Sequence, residues 1–392
     1  MLNIASADRP VKIRTPFYYY DMELLDSTLK TYSSLLDEYG FTAHFALKAN
    51  DRSRILQRIR EYGLGADCVS GNEVSLALKS GFAPGSIVFA GVGKTDREIR
   101  LALKADIFCL NCESMQELEV IDGIAGRLGR KARVALRINP EIDAHTHNFI
   151  STGRKGDKFG FPLSSLNETL DIMVHLHNLE LTGLHFHIGS QITDLSVFGR
   201  LCRTASEIQD RLNEKGICPA NINLGGGLGI DYYEPDANPS APFREYFETV
   251  STNLRLRPGQ KVHLEPGRSI VAQCGSLISK VLYVKKNADS GFLILDAGMN
   301  DLLRPALYGA YHKIENLSSS GKSERYDVVG PVCESSDCWG KDRLLPHSSR
   351  GDLIAIRSAG AYGQVMAMRY NGRALAREIY SDQLPDVSCR NK

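Results

Sequence analysis

The sequence predicts an α/β protein: a (β/α)8 barrel followed by an all-β domain. Three observations carry this. From about residue 42, short apolar runs alternate with helical patterns, the signature of β-α units around a parallel sheet. The runs number eight, the count of a closed barrel. Beyond about residue 270 the pattern turns to strands separated by turn residues, with few long helices. The expected division is residues 22–268 for the barrel and 1–21 with 269–392 for the β domain.

The eight runs are HFALK, ADCVS, SIVFA, DIFCL, RVALRI, LTGLHFHI, NINLGG and VHLEPG. Between them lie helical stretches such as RSRILQRIREYG, SMQELEVIDGIAGRLG and LCRTASEIQDRLNEKG. The β domain is expected from SLISKVLYVKK, GFLILDAG, RYDVVG and DLIAIRSAG, and TPFYYYD near the start reads as a strand returning to it. A polar segment rich in Gly and Lys, about 140–165, reads as a functional or mobile loop.

With 47 basic and 46 acidic residues among 392, the chain has no net field to hold nucleic acid or an anionic membrane. No stretch reaches membrane-spanning length, and MLNIASADRPVKIRTP lacks the apolar core of a signal peptide. Nine cysteines, an odd number scattered along the chain, fit buried thiols in a reducing compartment. The expectation is a cytoplasmic protein. Cys109 and Cys112 form a C-x-x-C, but no second pair with ligand spacing accompanies them, and no metal is expected.

In such barrels the active site lies at the C-terminal strand ends. The first run ends in Lys48, a position suited to a Schiff-base lysine and equally open to an ordinary solvated lysine. The seventh ends in Gly225, Gly226 and Gly227, the eighth in Glu265, Pro266, Gly267 and Arg268. Bare glycine amides with a neighbouring arginine at these two ends favour phosphate binding over a plain turn. A carboxylate such as Glu265 beside the pyridine nitrogen of pyridoxal 5′-phosphate (PLP) keeps the ring protonated, which favours decarboxylation. His185 and His187 share one strand face. A metal pair is the alternative, but His145/His147 and His175/His177 repeat the H-x-H pattern without ligand-like partners, so stacking on a flat cofactor is the better reading.

These motifs resemble the fold-type III PLP decarboxylases, the alanine racemase-like fold, over nearly the whole chain, and within them the branch acting on diaminopimelate. FALKAN is similar to the family's PLP-lysine motif at Lys48. GLHFHIGSQ carries a stacking histidine at His187 and Ser190, LGGGLGIDYY the phosphate glycines, and EPGRSIVA the ring-nitrogen carboxylate Glu265 with Gly267 and Arg268. The resemblance also implies that Asp67, Glu73 and Arg137 lie near the cofactor and that Tyr362 approaches its phosphate. It implies a head-to-tail homodimer with two shared active sites. GPVCESSDCWG then supplies Cys333, placed to protonate the carbanion, and Glu334, both across the interface, with Cys338 structural. Two positions depart from the family: Asp157 stands where a small residue is expected, and MAMRYNGR is a loose version of the ending around Tyr370 and Asn371.

Diaminopimelate brings a second ammonium and a second carboxylate. Arg304 in LLRPALYGAYH offers a bidentate fork for that carboxylate, Tyr308 a hydroxyl and Glu334 a charge for the ammonium, with Arg268 and Tyr362 also at the substrate. The expected reaction is decarboxylation of meso-2,6-diaminopimelate to L-lysine and carbon dioxide. Decarboxylases of ornithine, lysine or carboxynorspermidine are the rival reading. A racemase fits poorly with Glu265, a non-catalytic relative fits poorly with Lys48, Glu265, Arg268 and Cys333 together, and a metal hydrolase on the same barrel would be ruled out by an aldimine absorbance in the purified protein.

Overall fold

The structure, a computed structural model, describes residues 13–143, 153, 156–286 and 291–384. All eight predicted runs are strands: Thr42–Ala46, Gly65–Cys68, Ile87–Phe89, Cys109–Cys112, Ala132–Asn139, Leu179–His185, Asn221–Asn223 and Lys261–Leu264. Each pairs in parallel with the next, and Lys261–Leu264 also pairs with Thr42–Ala46, in the register His263 to Thr42 and Leu264 to Ala43, so the ring closes. The short strand Phe161–Pro162 adds to the outside of this order, beside Ile138 and Asn139. Strands covered on both faces need not alternate apolar and polar residues, which is why runs rather than a period of two revealed them.

The intervening helices start and stop where local chemistry dictates. Ser70, Thr95 and Ser114 each accept the N3 amide of the helix they open, those of Glu73, Glu98 and Glu117. Thr95 and Glu98 form a reciprocal capping box. Helix Met115–Leu128 ends on Gly129 in the left-handed region, φ 62°. It buries Leu118, Ile121, Ile124 and Ala125, a stripe at helical spacing, and each large aliphatic side chain so buried stabilises by about 1.5–3 kcal/mol.

By internal packing the chain forms two units. One comprises Leu29–Gly229 and Pro242–Gly267 and holds the barrel; the other includes Ile230–Ala241 and the chain from Arg268. The boundary therefore differs from residues 22–268 in three places: helix Met22–Tyr39 begins in the β unit, Ile230–Ala241 belongs there too, and the barrel unit ends at Gly267, one residue early. Side-chain chemistry explains the second difference. Arg357 binds Asp236 at 2.9 Å, Lys313 lies 3.4 Å from Glu234, and Gln273 donates to the Asn238 carbonyl.

The β unit is built on an eight-stranded sheet in which Gly275–Lys286 is central, flanked by Leu353–Ile356 and Gly291–Leu295. Phe17–Tyr20 joins it antiparallel to Gly275–Ile278 and parallel to Arg377–Tyr380. Phe17, Tyr19, Ile278 and Ala355 form a buried cluster beneath this junction. Three strands were not among the sequence expectations: Ile314–Asn316, Cys338–Pro346 and Arg377–Tyr380. Among the described residues no helix is long and apolar enough to cross a membrane.

Candidate active site

The strand ends of the barrel enclose a cavity of about 450 Å³. Lys48, Asp67, Arg137, His185, His187 and Glu265 all line it, together with Phe89, the turn Ala90–Lys94 and Phe159. Lys48 stands in a single 3₁₀ turn, Leu47–Ala49, right after the first strand, and its side chain is about a third exposed. Its Nζ is 3.9 Å from Asp67 Oδ2.

Glu265 is the buried charge of the cavity. Its Oε2 is 3.1 Å from His185 Nε2, and its Oε1 accepts from Asn223 at 2.7 Å and Asn111 at 3.4 Å. Burial opposes ionisation, but His185 outweighs it through charge and hydrogen bond, and the carboxyl titrates well below its usual range. Asp67 moves the other way: burial and the Glu265 charge raise it, and its Oδ1 is buried without a hydrogen-bond partner among the described residues. Two carboxylates pushed apart in this manner take different roles, one anionic and one held towards its neutral acid.

His187 is kept neutral by burial and by Lys48 and Arg137. The Gly226 amide donates to its Nδ1 at 3.2 Å, so the ring proton resides on Nε2. The Gly225 amide is also engaged, donating to Asn223 Oδ1 at 2.8 Å. A Cβ at Gly225 would stand 2.2 Å from the Phe186 carbonyl oxygen, and one at Gly226 2.2 Å from that of Glu265. The triplet is thus a turn that only glycine can make, and two of its three amides serve the protein itself, a feature the phosphate reading did not anticipate.

Glu73 does not line the cavity. Its carboxylate accepts the Val69 amide at 2.7 Å, tying down the turn before its helix; burial raises its pKa, and the Val69 hydrogen bond and the Lys48 charge oppose the rise. Ser190 is half-buried in the turn beyond His187, also outside the lining. Arg137 lies in the wall, donating to Glu113 at 3.0 Å and covering the Phe159 ring at 4.7 Å. Glu113 also accepts the amides of Gly91 and Gly160, each at 3.1 Å, and so joins two cavity turns to Arg137. Of the 140–165 segment, residues 144–152, 154 and 155, with His145 and His147, lie outside the described residues. Phe159 and Gly160 show that its far end reaches the cavity.

Other predicted residues gather in the β unit. Arg268 is buried, donates to the Tyr232 hydroxyl at 2.6 Å and lies over the Tyr362 ring at 4.9 Å. Tyr362 itself holds a left-handed backbone, φ 55°. Arg304 is buried over the other side of this cluster, 4.9 Å from the Tyr232 ring centre, with Nη1 2.8 Å from His312 Nε2. No carboxylate of the described residues pairs with Arg304. Tyr308, at the other end of the short helix Arg304–Tyr308, is half-buried.

Cys333 and Glu334 are exposed. The Cys333 amide donates to Asn371, and Glu334 accepts from Tyr370 and, at 3.1 Å, from Ser336. Tyr370 and Asn371 thus support this segment. The cysteines Cys109 and Cys112 are buried at opposite ends of one strand, and burial pushes the Cys109 thiol up to about 12.

Sequence reasoning missed Asn111, Asn223, Glu113, Tyr232 and His312. Asn223 closes its strand and Asn111 stands one residue before the end of its own, so the strand-end rule that found Lys48 could have found them. The other three gain their roles only through distant partners.

An ionised buried carboxylate, a nearby amine and a neutral imidazole in one wall fit PLP, whose ring nitrogen is basic and whose aldehyde takes an amine. The pattern of the pyridoxal-binding domain of pyridoxal-dependent decarboxylases matches residues 24–272. The chain belongs to this family. The diaminopimelate decarboxylase of Bacteroides thetaiotaomicron is 50% identical over 385 residues, 98% of this chain and all of the relative. The crystal structure of Helicobacter pylori diaminopimelate decarboxylase complexed with L-lysine has a TM-score of 0.89 at 42% identity, covering 94% of this chain and 92% of that one. The Vibrio vulnificus lysine/ornithine decarboxylase, at 21% identity over 95% of this chain and 96% of that one, shares the fold with a TM-score of 0.83.

Proposed function

We propose that this decarboxylase acts on meso-2,6-diaminopimelate, releasing one carboxyl as carbon dioxide and leaving L-lysine. The observation that carries the reading is Arg304: a buried guanidinium beside His312, Tyr232, Tyr362 and the like charge of Arg268, with no carboxylate partner among the described residues. A substrate with a distal carboxylate completes that site, whereas ornithine or lysine would leave the charge buried and unpaired.

When bound, PLP supplies the ring that accepts the electron pair left as the carboxylate departs. Lys48 supplies the amine that holds it. Glu265, kept ionised by His185, Asn223 and Asn111, holds a proton at the ring nitrogen. His187 offers a neutral ring face, and Asp67 stays near its neutral form so that it does not compete with Glu265 for the cation. Gly227, Gly267 and Ser190 serve the phosphate end, and Arg268 and Tyr362 keep the roles the family resemblance gives them. Cys333 Sγ returns a proton to the carbon from which carbon dioxide left, and Glu334 meets the distal ammonium. Both stand exposed on a segment braced by Tyr370 and Asn371, which favours delivery to a second copy in a homodimer. The eight cysteines within the described residues are free thiols, which favours a reducing, cytoplasmic setting.

Arg304→Leu tests the reading: binding of diaminopimelate should weaken by about 2–5 kcal/mol, the cost of removing one member of a buried charge pair. Retained parental affinity would remove the basis for preferring this substrate over ornithine or lysine.

A further inference from the structure

We infer that His312 is a specificity-determining positioning residue: it orients the Arg304 fork toward a ligand carboxylate without cancelling the positive charge. The inference rests on Arg304 as the anchor of the substrate's distal carboxylate.

A buried arginine ordinarily has an acidic partner. Within the same unit Arg357 follows that rule, donating to Glu315 at 2.5 Å and Asp236 at 2.9 Å. Arg304 does not. Its Nη1 is 2.8 Å from His312 Nε2, and its guanidinium carbon lies 4.9 Å from the Tyr232 ring centre. An aspartate or glutamate at position 312 would satisfy the same N–H but would also neutralise the guanidinium, leaving little attraction for a substrate carboxylate. A neutral imidazole satisfies one N–H and leaves the net charge intact.

The surroundings fix the imidazole in the form this requires. His312 Nδ1 is 2.8 Å from the Arg357 carbonyl, a pure acceptor, so Nδ1 carries the proton and the Nε2 lone pair faces Arg304. Burial and the Arg304 charge lower the His312 pKa to about 3, which keeps the lone pair free at neutral pH. The ring is packed edge-on to Tyr232, 5.1 Å between centres at 77°, so the tyrosine that carries Arg304 on its face also braces the histidine. The carbonyl that sets the tautomer belongs to a residue clamped by two carboxylates. A line of contacts thus runs from Asp236 and Glu315 through Arg357 and His312 to Arg304.

The test uses the PLP-loaded enzyme and two constants: KM for meso-diaminopimelate, and the competitive inhibition constant of 1,5-diaminopentane, which has no carboxylate. His312→Glu should raise KM by about thirtyfold or more, the smallest loss expected when a buried charge partner is withdrawn, and should leave the diamine constant within about threefold. His312→Met, which removes the acceptor without adding charge, should shift the same constant in the same direction and serves if the glutamate variant fails to fold. His312→Gln, able to donate to the Arg357 carbonyl and accept from Arg304, should restore KM to near the parental value. Equal rises in both constants, or no change in either, would overturn the inference. Arg304→Leu separates it from the reading beneath it. If that variant leaves KM unchanged, the anchor is wrong. If it raises KM selectively while the position 312 variants do not, the role of His312 alone fails.

Discussion

Replacing Glu265 by Gln removes a charge while conserving shape, and the structure indicates how the amide would fit. Its oxygen can take the place of Oε1 and accept from Asn223 and Asn111. Its NH2 then faces His185 Nε2, which must become an acceptor. His185 can comply, because its Nδ1 is buried with no partner among the described residues and can take the proton instead. The variant should fold and retain cofactor. What it loses is the anion opposite the ring nitrogen. Withdrawing one member of a buried ion pair costs about 3–5 kcal/mol, and if that interaction is realised in the transition state, kcat falls by roughly 150- to 5000-fold at about 1.4 kcal/mol per decade. The assay is carbon dioxide release at saturating diaminopimelate and PLP, with cofactor content read from absorbance and fold from circular dichroism. A folded, cofactor-loaded Glu265→Gln enzyme within tenfold of the parental kcat would refute the argument that the Glu265 charge drives the chemistry.

Lys48→Ala should abolish the borohydride-stable cofactor label, which in the parent should map by peptide analysis to Lys48; a label elsewhere would reassign the amine. His312, with a folded pKa of about 3 against an unfolded value of about 6.5, stays neutral in the folded protein while the unfolded chain gains a proton below pH 6.5. Its contribution is therefore complete above that pH and should decline by about 1.4 kcal/mol between pH 7.5 and 5.5. Because His187, His263 and His44 are also held neutral, both proteins should lose stability over this range, but urea unfolding should show the parent losing about 1.4 kcal/mol more than His312→Gln, and parallel curves would contradict it. If each active site draws Lys48 from one subunit and Cys333 from the other, mixed Lys48→Ala and Cys333→Ala homodimers should regain up to roughly a quarter of parental activity after subunit exchange, because about half the molecules become heterodimers with one intact site. Exchange confirmed by mass without any gain would contradict a shared site.

The barrel was legible because each of its strands falls in a short local run, and several of the cavity residues stand at the end of one. Lys48, His187 and Glu265 were found near the ends of such runs, Asp67 and Arg137 through the resemblance, and all five face one cavity. Glu73 was carried over on resemblance, and the structure gives it a capping task in the turn beside Asp67. What remained hidden depends on distance along the chain. The donors that hold Glu265 in place come from strands 42 and 154 residues away, and His312 means nothing locally until Arg357, 45 residues on, sets its tautomer. The missed strand Cys338–Pro346 reads CWGKDRLLP, too polar for an apolar run because one face is open to solvent. Ile314–Asn316, at three residues, is too short to show a period. The segment Ile230–Ala241 changes unit through ion pairs with Lys313 and Arg357, which no sequence period records.

The most direct test of the substrate assignment is to incubate the purified, PLP-loaded protein with meso-diaminopimelate, ornithine or lysine and measure carbon dioxide and the amine product in each. The account predicts equimolar carbon dioxide and L-lysine from meso-diaminopimelate, and little release from the two substrates that leave Arg304 unpaired. Faster release from ornithine or lysine than from diaminopimelate would contradict it.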